Sequence, residues 1–170
     1  EQHTCAMTTS YGAKCWGANT YGQLGDGTNN PHSTPANVNG LTSGVYAISA
    51  GNFHTCAKTS SGGMKCWGKN TESQLGDGTT NNRNTPVDVT NLTSGVAWIA
   101  SGISHTCAVT TSGRAKCWGQ NYTFGRLGDG TTLPRTTAIN ISGFINGGSP
   151  MEAGGFHTCA LGTNGVVKCW

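Results

Sequence analysis

Polar and apolar residues alternate in short runs along this chain, and the runs recur. Thr55, Ala57 and Thr59 alternate with Cys56 and Lys58, the period-two pattern of a strand. Ser61-Gly62 interrupts the pattern and Met64 to Trp67 resumes it, so the segment predicts a β-hairpin with Gly at a left-handed turn position. The turn is Ser112-Gly113 in a third copy and Asn164-Gly165 in a fourth, whereas in the first copy Gly slips to Gly12, behind Tyr11. A further strand is predicted ahead of two hairpins, Val45 to Ala50 and Val96 to Ser101, each closed by a glycine (Gly51, Gly102). The stretch in the same place before the last hairpin, Gly148-Ser149-Pro150-Met151-Glu152-Ala153, makes a poor strand, since Gly and Pro weaken a ladder.

The motifs keep a fixed spacing. His-Thr-Cys-Ala starts at His3, His54, His105 and His157, and Lys-Cys-Trp at Lys14, Lys65, Lys116 and Lys168. Leu-Gly-Asp-Gly-Thr starts at Leu24, Leu75 and Leu127, each time 30 residues ahead of the next His. One copy carries an extra residue between Trp118 and Leu127, which marks a surface loop. Residues 1–170 therefore read as a single repeat array, with hairpin units 3–17, 54–68, 105–119 and 157–170 joined by segments 18–53, 69–104 and 120–156. Repeats of this length with several short strands each suggest the blades of a β-propeller, an all-β fold.

The blocks Gly51-Asn52-Phe53-His54-Thr55-Cys56-Ala57, Lys65-Cys66-Trp67-Gly68-Lys69-Asn70 and Gln74-Leu75-Gly76-Asp77-Gly78-Thr79, with Thr85-Pro86 ahead of a Val-rich segment, carry a resemblance. The chain resembles the repeats of the regulator of chromosome condensation family, in a bacterial, secreted-type form with paired cysteines. The resemblance implies four-stranded blades, commonly seven to a ring. Against such a ring the chain supplies about three and a third blades, a partial or open propeller unless more chain or another copy completes it. It opens on one hairpin and stops after another, so its ends duplicate each other. The expected arrangements are a window of a longer array, an arc completed by another copy, or a protomer of a larger head-to-tail assembly.

Eight cysteines fall in four equally spaced pairs, Cys5/Cys15, Cys56/Cys66, Cys107/Cys117 and Cys159/Cys169. With Ser61 at the turn centre, Cys56 and Cys66 face each other across antiparallel strands, within disulfide range. The spacing predicts one disulfide in each hairpin. Metal binding by a His-x-Cys...Cys set is the alternative, and it offers three ligands where zinc sites use four with closely spaced Cys pairs. In the more familiar form of the repeat other residues hold these two positions, so paired cysteines in every copy imply an oxidising compartment and an extracellular or cell-surface location.

The remaining repeated residues favour structural roles. A catalytic site needs one His with unlike partners, so four equivalent histidines argue for a hydrogen bond repeated in every blade. Asp26, Asp77 and Asp129 each stand alone between two glycines, which suits an Asx turn better than a calcium loop. The repeated Lys14, Lys65, Lys116 and Lys168 are expected to form a solvated arc of strand positions, and Trp16, Trp67, Trp118 and Trp170 to pack between blades.

Composition narrows the function. Gly alone numbers 27 of 170 residues, which disfavours long helices. Charged residues are 10% of the chain, well under the usual ~25%, and the net charge of +3 demands neither nucleic acid nor a membrane. No run approaches the length of a membrane-spanning helix. No nucleophile elbow, metalloprotease helix, phosphate loop or carboxylate dyad is present, so no enzyme, metal or cofactor is expected.

The expected function is a non-enzymatic extracellular interaction module that binds a protein partner or further copies of itself, with no nucleic acid and no membrane insertion. The alternative is a structural subunit of an extracellular fibre or surface assembly built by head-to-tail contacts. Candidate contact residues are those that break the repeat: Tyr11, His32, Trp98, Tyr122, Phe124 and Phe144. Asn91, Asn121 and Asn140 head glycosylation acceptor patterns, Asn121 within the insertion loop.

Overall fold

The computed structural model describes residues 2–145, 150–162 and 165–170, with backbone alone for 142–145. The described residues form fourteen strands in four antiparallel sheets and contain no helix. The first sheet holds β1 (His3–Met7), β2 (Ala13–Gly17) and β3 (His32–Asn37). The second is a complete blade of β4 (Val45–Ala50), β5 (His54–Thr59), β6 (Met64–Gly68) and β7 (Arg83–Asp88). The third repeats it with β8 (Val96–Ser101), β9 (His105–Thr110), β10 (Arg114–Gly119) and β11 (Arg135–Ile145). The fourth contains β12 (Met151–Ala153), β13 (Thr158–Leu161) and β14 (Val167–Cys169).

The arrangement is an open run of propeller blades. Its terminal sheets are not duplicates, because the first has an outer strand and no inner one while the last has the reverse. The weak strand ahead of the last hairpin does form, shortened to Met151–Ala153 and paired with β13. The outer strands β3 and β7 carry Pro35 and Pro86 at register shifts, which suits the edge of a sheet. That proline hides them from a period-two reading.

Hairpin register follows from the turns. Gly62 and Gly113 take φ of 76° and 78°, and in the first copy Tyr11 holds the same left-handed position with φ of 60°. Each cysteine then lies directly opposite its partner. Cys5 is bonded to Cys15, Cys56 to Cys66, Cys107 to Cys117 and Cys159 to Cys169, every pair with Cα atoms 4.1 Å apart. No free cysteine is left to serve the metal alternative. Of the last turn, Asn164 lies outside the described residues.

Beyond stapling the hairpins, Cys15, Cys56, Cys66, Cys107 and Cys117 are fully buried and belong to the apolar cores of the three junctions. The cause is their strand: each lies on a strand flanked on both sides within its sheet. Cys15 stands opposite Cys5 and Ala36, and Cys117 opposite Cys107 and Ile139, each just ahead of a register shift. Cys66 repeats this in the second blade, while Cys169, on a strand with no outer neighbour, is exposed.

The hydrophobic core lies between the blades. Leu24, Val38, Leu41, Val45, Ala57 and Trp67 fill the first junction. Leu75, Val89, Leu92, Val96, Ile99 and Trp118 fill the second, and Leu127, Ile141, Met151, Ala160 and Trp170 the third. Leu24, Leu75 and Leu127 thus meet Trp67, Trp118 and Trp170 at the three junctions, as expected for those Trp, whereas Trp16 is half-buried and belongs to none of these cores. The glycine after each Leu lets the ring in: a Cβ at Gly25 or Gly76 would stand 2.6 or 2.5 Å from Nε1 of Trp67 or Trp118. Both glycines also have φ near 70°, so a side chain there meets both strain and a clash.

Candidate functional site

Below each junction core runs a hydrogen-bond relay built from the repeat. His3 Nε2 lies 2.8 Å from Thr55 Oγ1, whose hydroxyl donates to the Gln23 carbonyl at 2.8 Å, and Trp67 Nε1 donates to the same carbonyl at 2.9 Å. His54, Thr106, Gln74 and Trp118 repeat the set at 2.8, 2.7 and 3.0 Å. His105 and Thr158 continue it at 3.0 Å, with the Arg126 carbonyl as acceptor at 3.2 Å. Because the hydroxyl proton goes to the carbonyl, the imidazole must donate from Nε2, which fixes the neutral tautomer and leaves Nδ1 bare. Nδ1 is buried without a partner in all three. Burial accordingly pushes these imidazoles down, to about 4 at His3, about 3 at His54 and about 4 at His105. His3, His54 and His105 are thus joints between blades, whereas His157, expected to do the same, is exposed.

A second repeated network pins the loop after each hairpin. Asp26, Asp77 and Asp129 accept the N–H two residues on, from Thr28, Thr79 and Thr131, each at 2.9 Å, the expected Asx turn. Burial by itself would raise these carboxyls, but hydrogen bonds from the threonine, the following basic side chain and an asparagine outweigh it, and each is held below its ordinary value. A basic side chain sits six residues beyond each Asp. It is Arg83 and Arg135 in two copies, with Nη2 2.9 and 2.6 Å from the carboxylate, and His32 in the first, at 2.7 Å. His32 thus holds an arginine's place in the repeat and is tied to Asp26 by a hydrogen bond rather than free as a contact residue. Asn121 also needs correction as a glycosylation acceptor. Its side chain is fully buried, and Nδ2 donates to Asp129 Oδ1 and to the carbonyls of Thr131 and Leu133. Asn19 and Asn70 do the same work in the other copies. Asn91 and Asn140 are exposed.

One group of positions that vary between copies collects at one end of the blades, the loop face, beside the long loops. The residue three before each repeated Leu (Tyr21, Glu72, Phe124) lies near the residue just before the next His (Phe53, Ser104, Phe156). At the first junction Tyr21 and Phe53 meet edge to face, centroids 5.4 Å apart, with Lys69 Nζ 5.4 Å from each. At the third, Phe124 and Phe156 lie 5.8 Å apart over Arg126, whose Cζ is 5.7 and 5.0 Å from their centroids. The middle junction carries Glu72 and Ser104 at these positions. Tyr122 and Phe124 are exposed on this face as expected, and Phe156 joins them.

The opposite, turn face holds the other candidates. Tyr11 stacks on Tyr46 with centroids 5.2 Å apart. Trp98 donates from Nε1 to the Met151 carbonyl at 2.8 Å, tying inner strand β8 to β12, and keeps a partly exposed ring. With Met7, Tyr46, Ile48, Ile99 and Glu152 it lines an open cavity of about 430 Å³. The side chain of Phe144 lies outside the described residues. Lys14 and Lys65 reach across to Asn37 and Asp88 of their own blades at 2.8 and 2.7 Å. Among the described residues no three His, Cys, Asp or Glu side chains gather as a metal site would require.

Sequence reasoning missed Tyr21, Tyr46, Phe53, Lys69, Arg126 and Phe156. The signal for Arg126 is present, since the same position holds Gln23 and Gln74 in the other copies. Phe53 and Phe156 are concealed because two of the four copies share the aromatic and it reads as motif.

Two family signatures, both described as the regulator of chromosome condensation (RCC1) repeat, match the chain. One covers residues 15–57 and 61–109, the other 45–74 and 97–126. The ultraviolet-B receptor UVR8 of Arabidopsis thaliana is 30% identical over 172 residues, covering 99% of this chain and 39% of that protein. The E3 ubiquitin-protein ligase HERC2 of Homo sapiens is 39% identical over 113 residues, 65% of this chain and 2% of the ligase. Among solved structures, human WBSCR16 superposes with a TM-score of 0.84 at 21% identity, covering all of this chain and 45% of that one. Yeast RCC1 (Prp20), solved with Kap60, gives 0.84 at 20% identity over all of this chain and 42% of that one. The chain spans less than half the length of each.

Proposed function

Because this chain belongs to the regulator of chromosome condensation (RCC1) repeat family, we propose that it is a non-enzymatic, extracellular protein-binding module that meets its partner with the loop face. One observation carries this reading. The invariant side chains are consumed by junctions and loop pins, while at this face aromatics gather on cations that vary between copies, half-buried Tyr21 and Phe53 with Lys69 at the first junction and exposed Phe124 and Phe156 with Arg126 at the third. Rigid aromatic and arginine side chains are what protein interfaces favour at their centres. Among relatives, Prp20 is found with Kap60, and its binding to Gsp1p and histones has been studied. The HERC2 name adds no ligase chemistry, since only 2% of that protein matches. The extracellular part of the reading is supported by one disulfide in each of the four hairpins.

Photo-crosslinking in the native host tests both parts. A benzophenone side chain is placed at Phe156 on the loop face and, separately, at Val167 on β14. The expected result is a defined protein adduct from Phe156 alone, in the medium or at the cell surface, with no free thiol in the adduct. Equal adducts from both positions, or a cytoplasmic chain with eight free thiols, would overturn it.

A further inference from the structure

Arg126 is the one copy of its repeat position that is not glutamine. Gln23 and Gln74 turn their side-chain oxygens back to accept the N–H of Tyr21 and Glu72 at 2.9 and 3.0 Å. A guanidinium has donors only and cannot do this. In the loop that carries the extra residue, the Phe124 N–H is instead satisfied locally, by the Tyr122 carbonyl at 2.8 Å, across Thr123 in a left-handed conformation. The Arg126 carbonyl keeps the repeat's own duty, accepting from Thr158. The substitution therefore leaves the joint intact and changes only what the side chain offers.

What it offers is a charge without hydrogen bonds. Arg126 is 2% exposed, and neither Nε nor Nη1 has a hydrogen-bond partner. No carboxylate pairs with it among the described residues; Glu72 acts on it only through its field. Two phenyl faces offset part of the cost of burying a cation but supply no acceptor. The cover is thin. Phe124 and Phe156, whose centroids lie 5.7 and 5.0 Å from Cζ, are themselves 62% and 54% exposed. Nε and Nη1 belong to different bidentate edges of the guanidinium, so a planar two-oxygen anion can be gripped from either side.

We propose that Arg126 is a receptor for a carboxylate, supplied by a Glu or Asp side chain of an acidic segment in the partner and admitted between Phe124 and Phe156. The proposal rests on the protein-binding reading for the source of that carboxylate. A singly charged carboxylate suits the site better than phosphate. Glu72 repels a dianion more strongly, and no second cation stands over the same rings. The phenyl rings then pack on the methylene stem of the acid and exclude water from the pair, which strengthens it.

The test is a titration of the intact, disulfide-bonded chain followed at the Arg126 Nε–H signal by nitrogen-15 NMR. The probe is an acetylated, amidated hexapeptide rich in Glu, with its Gln counterpart and inorganic phosphate run alongside. The expected result is a saturable shift with the Glu peptide alone and at least tenfold weaker binding for Arg126→Gln. That variant installs the residue of the other two copies, so it keeps a folded junction. An unmoved Arg126 signal, unchanged affinity in Arg126→Gln, or tighter binding of phosphate would overturn the carboxylate assignment. Failure here with the Phe156 adduct retained removes the receptor and leaves the binding face. Loss of the adduct with peptide binding retained removes the partner reading and leaves the receptor.

Discussion

The second and third junctions share one scaffold and differ at the rim. In their interiors His54 and His105 reach the hydroxyls of Thr106 and Thr158, and Trp118 and Trp170 cover Gly76 and Gly128. A few ångströms away, at the loop face, Glu72, Ser104 and Gln74 stand at the positions of Phe124, Phe156 and Arg126. The interior has little freedom because its histidine, threonine and tryptophan side chains are held across the junction by hydrogen bonds and packing. The rim is free because its backbone carbonyl, not its side chain, serves the relay. Repetition in this chain therefore marks what holds the blades together, and departure from repetition at the rim marks what is available for binding.

Acid should break the interior first and by the largest amount. The buried histidines have folded-state pKa values of about 4, 3 and 4, below the unfolded value of 6.5. The unfolded chain therefore binds more protons in this window. Stability is fully present above pH 6.5 and is lost as pH falls towards 4 and then 3, with a slope of up to about 1.4 kcal/mol per pH unit for each histidine. The lowered Asp26, Asp77 and Asp129 carboxyls add a loss of the same sign below their ordinary range. Urea midpoints at pH 7.5, 6, 5 and 4 check this, and a midpoint constant from pH 6 to 4 would contradict neutral, buried joints.

Single removals inside the second junction come next. Trp118→Ala empties the core between the two complete blades and strips a donor from the Gln74 carbonyl, an expected cost of about 3–5 kcal/mol. The staple ranks below it. Replacing Cys56 and Cys66 together by Ala removes a short-loop crosslink whose chain-entropy value is about 3 kcal/mol. Both are measured by urea denaturation at pH 7.5. A smaller cost for Trp118→Ala than for the cysteine pair would mean that hairpins, not junctions, carry the fold.

Much of this is legible in the order of residues alone, and the limit has a physical cause. Cys56 and Cys66 can be paired because turn and register are local, set by Ser61-Gly62. The same spacing pairs Cys15 with Cys5 and Cys117 with Cys107, but it does not show that Cys15 and Cys117 sit in the cores between blades. His54 can be read as structural because it recurs, although its partner Thr106 lies 52 residues away and only the stacking of blades reveals it. His32 looks exceptional by type, yet it occupies an arginine's place beside Asp26 and does an arginine's work. Asn121 fits an acceptor pattern that says nothing of burial. Arg126 differs visibly from Gln23 and Gln74, but its missing partners and its aromatic cover depend on Phe156, which arrives from the next blade. Local chemistry is written in order along the chain, whereas junction chemistry is written across a period.

The smallest expected effect sharpens the contrast most. Phe156→Ser installs at the third junction the residue that Ser104 supplies at the second. In the interior a large-to-small change of this size is costly, but Phe156 is already 54% exposed and its ring touches Phe124 and the Arg126 guanidinium. Losing those contacts costs about 1 kcal/mol. Uncovering Arg126 works the other way, since water then reaches Nε and Nη1 and relieves an unpartnered buried charge. The two terms oppose each other, so the urea midpoint at pH 7.5 should move by about 1 kcal/mol or less. A loss above about 2 kcal/mol would make Phe156 part of the scaffold, and the rim would no longer be the place where the blades are free to differ.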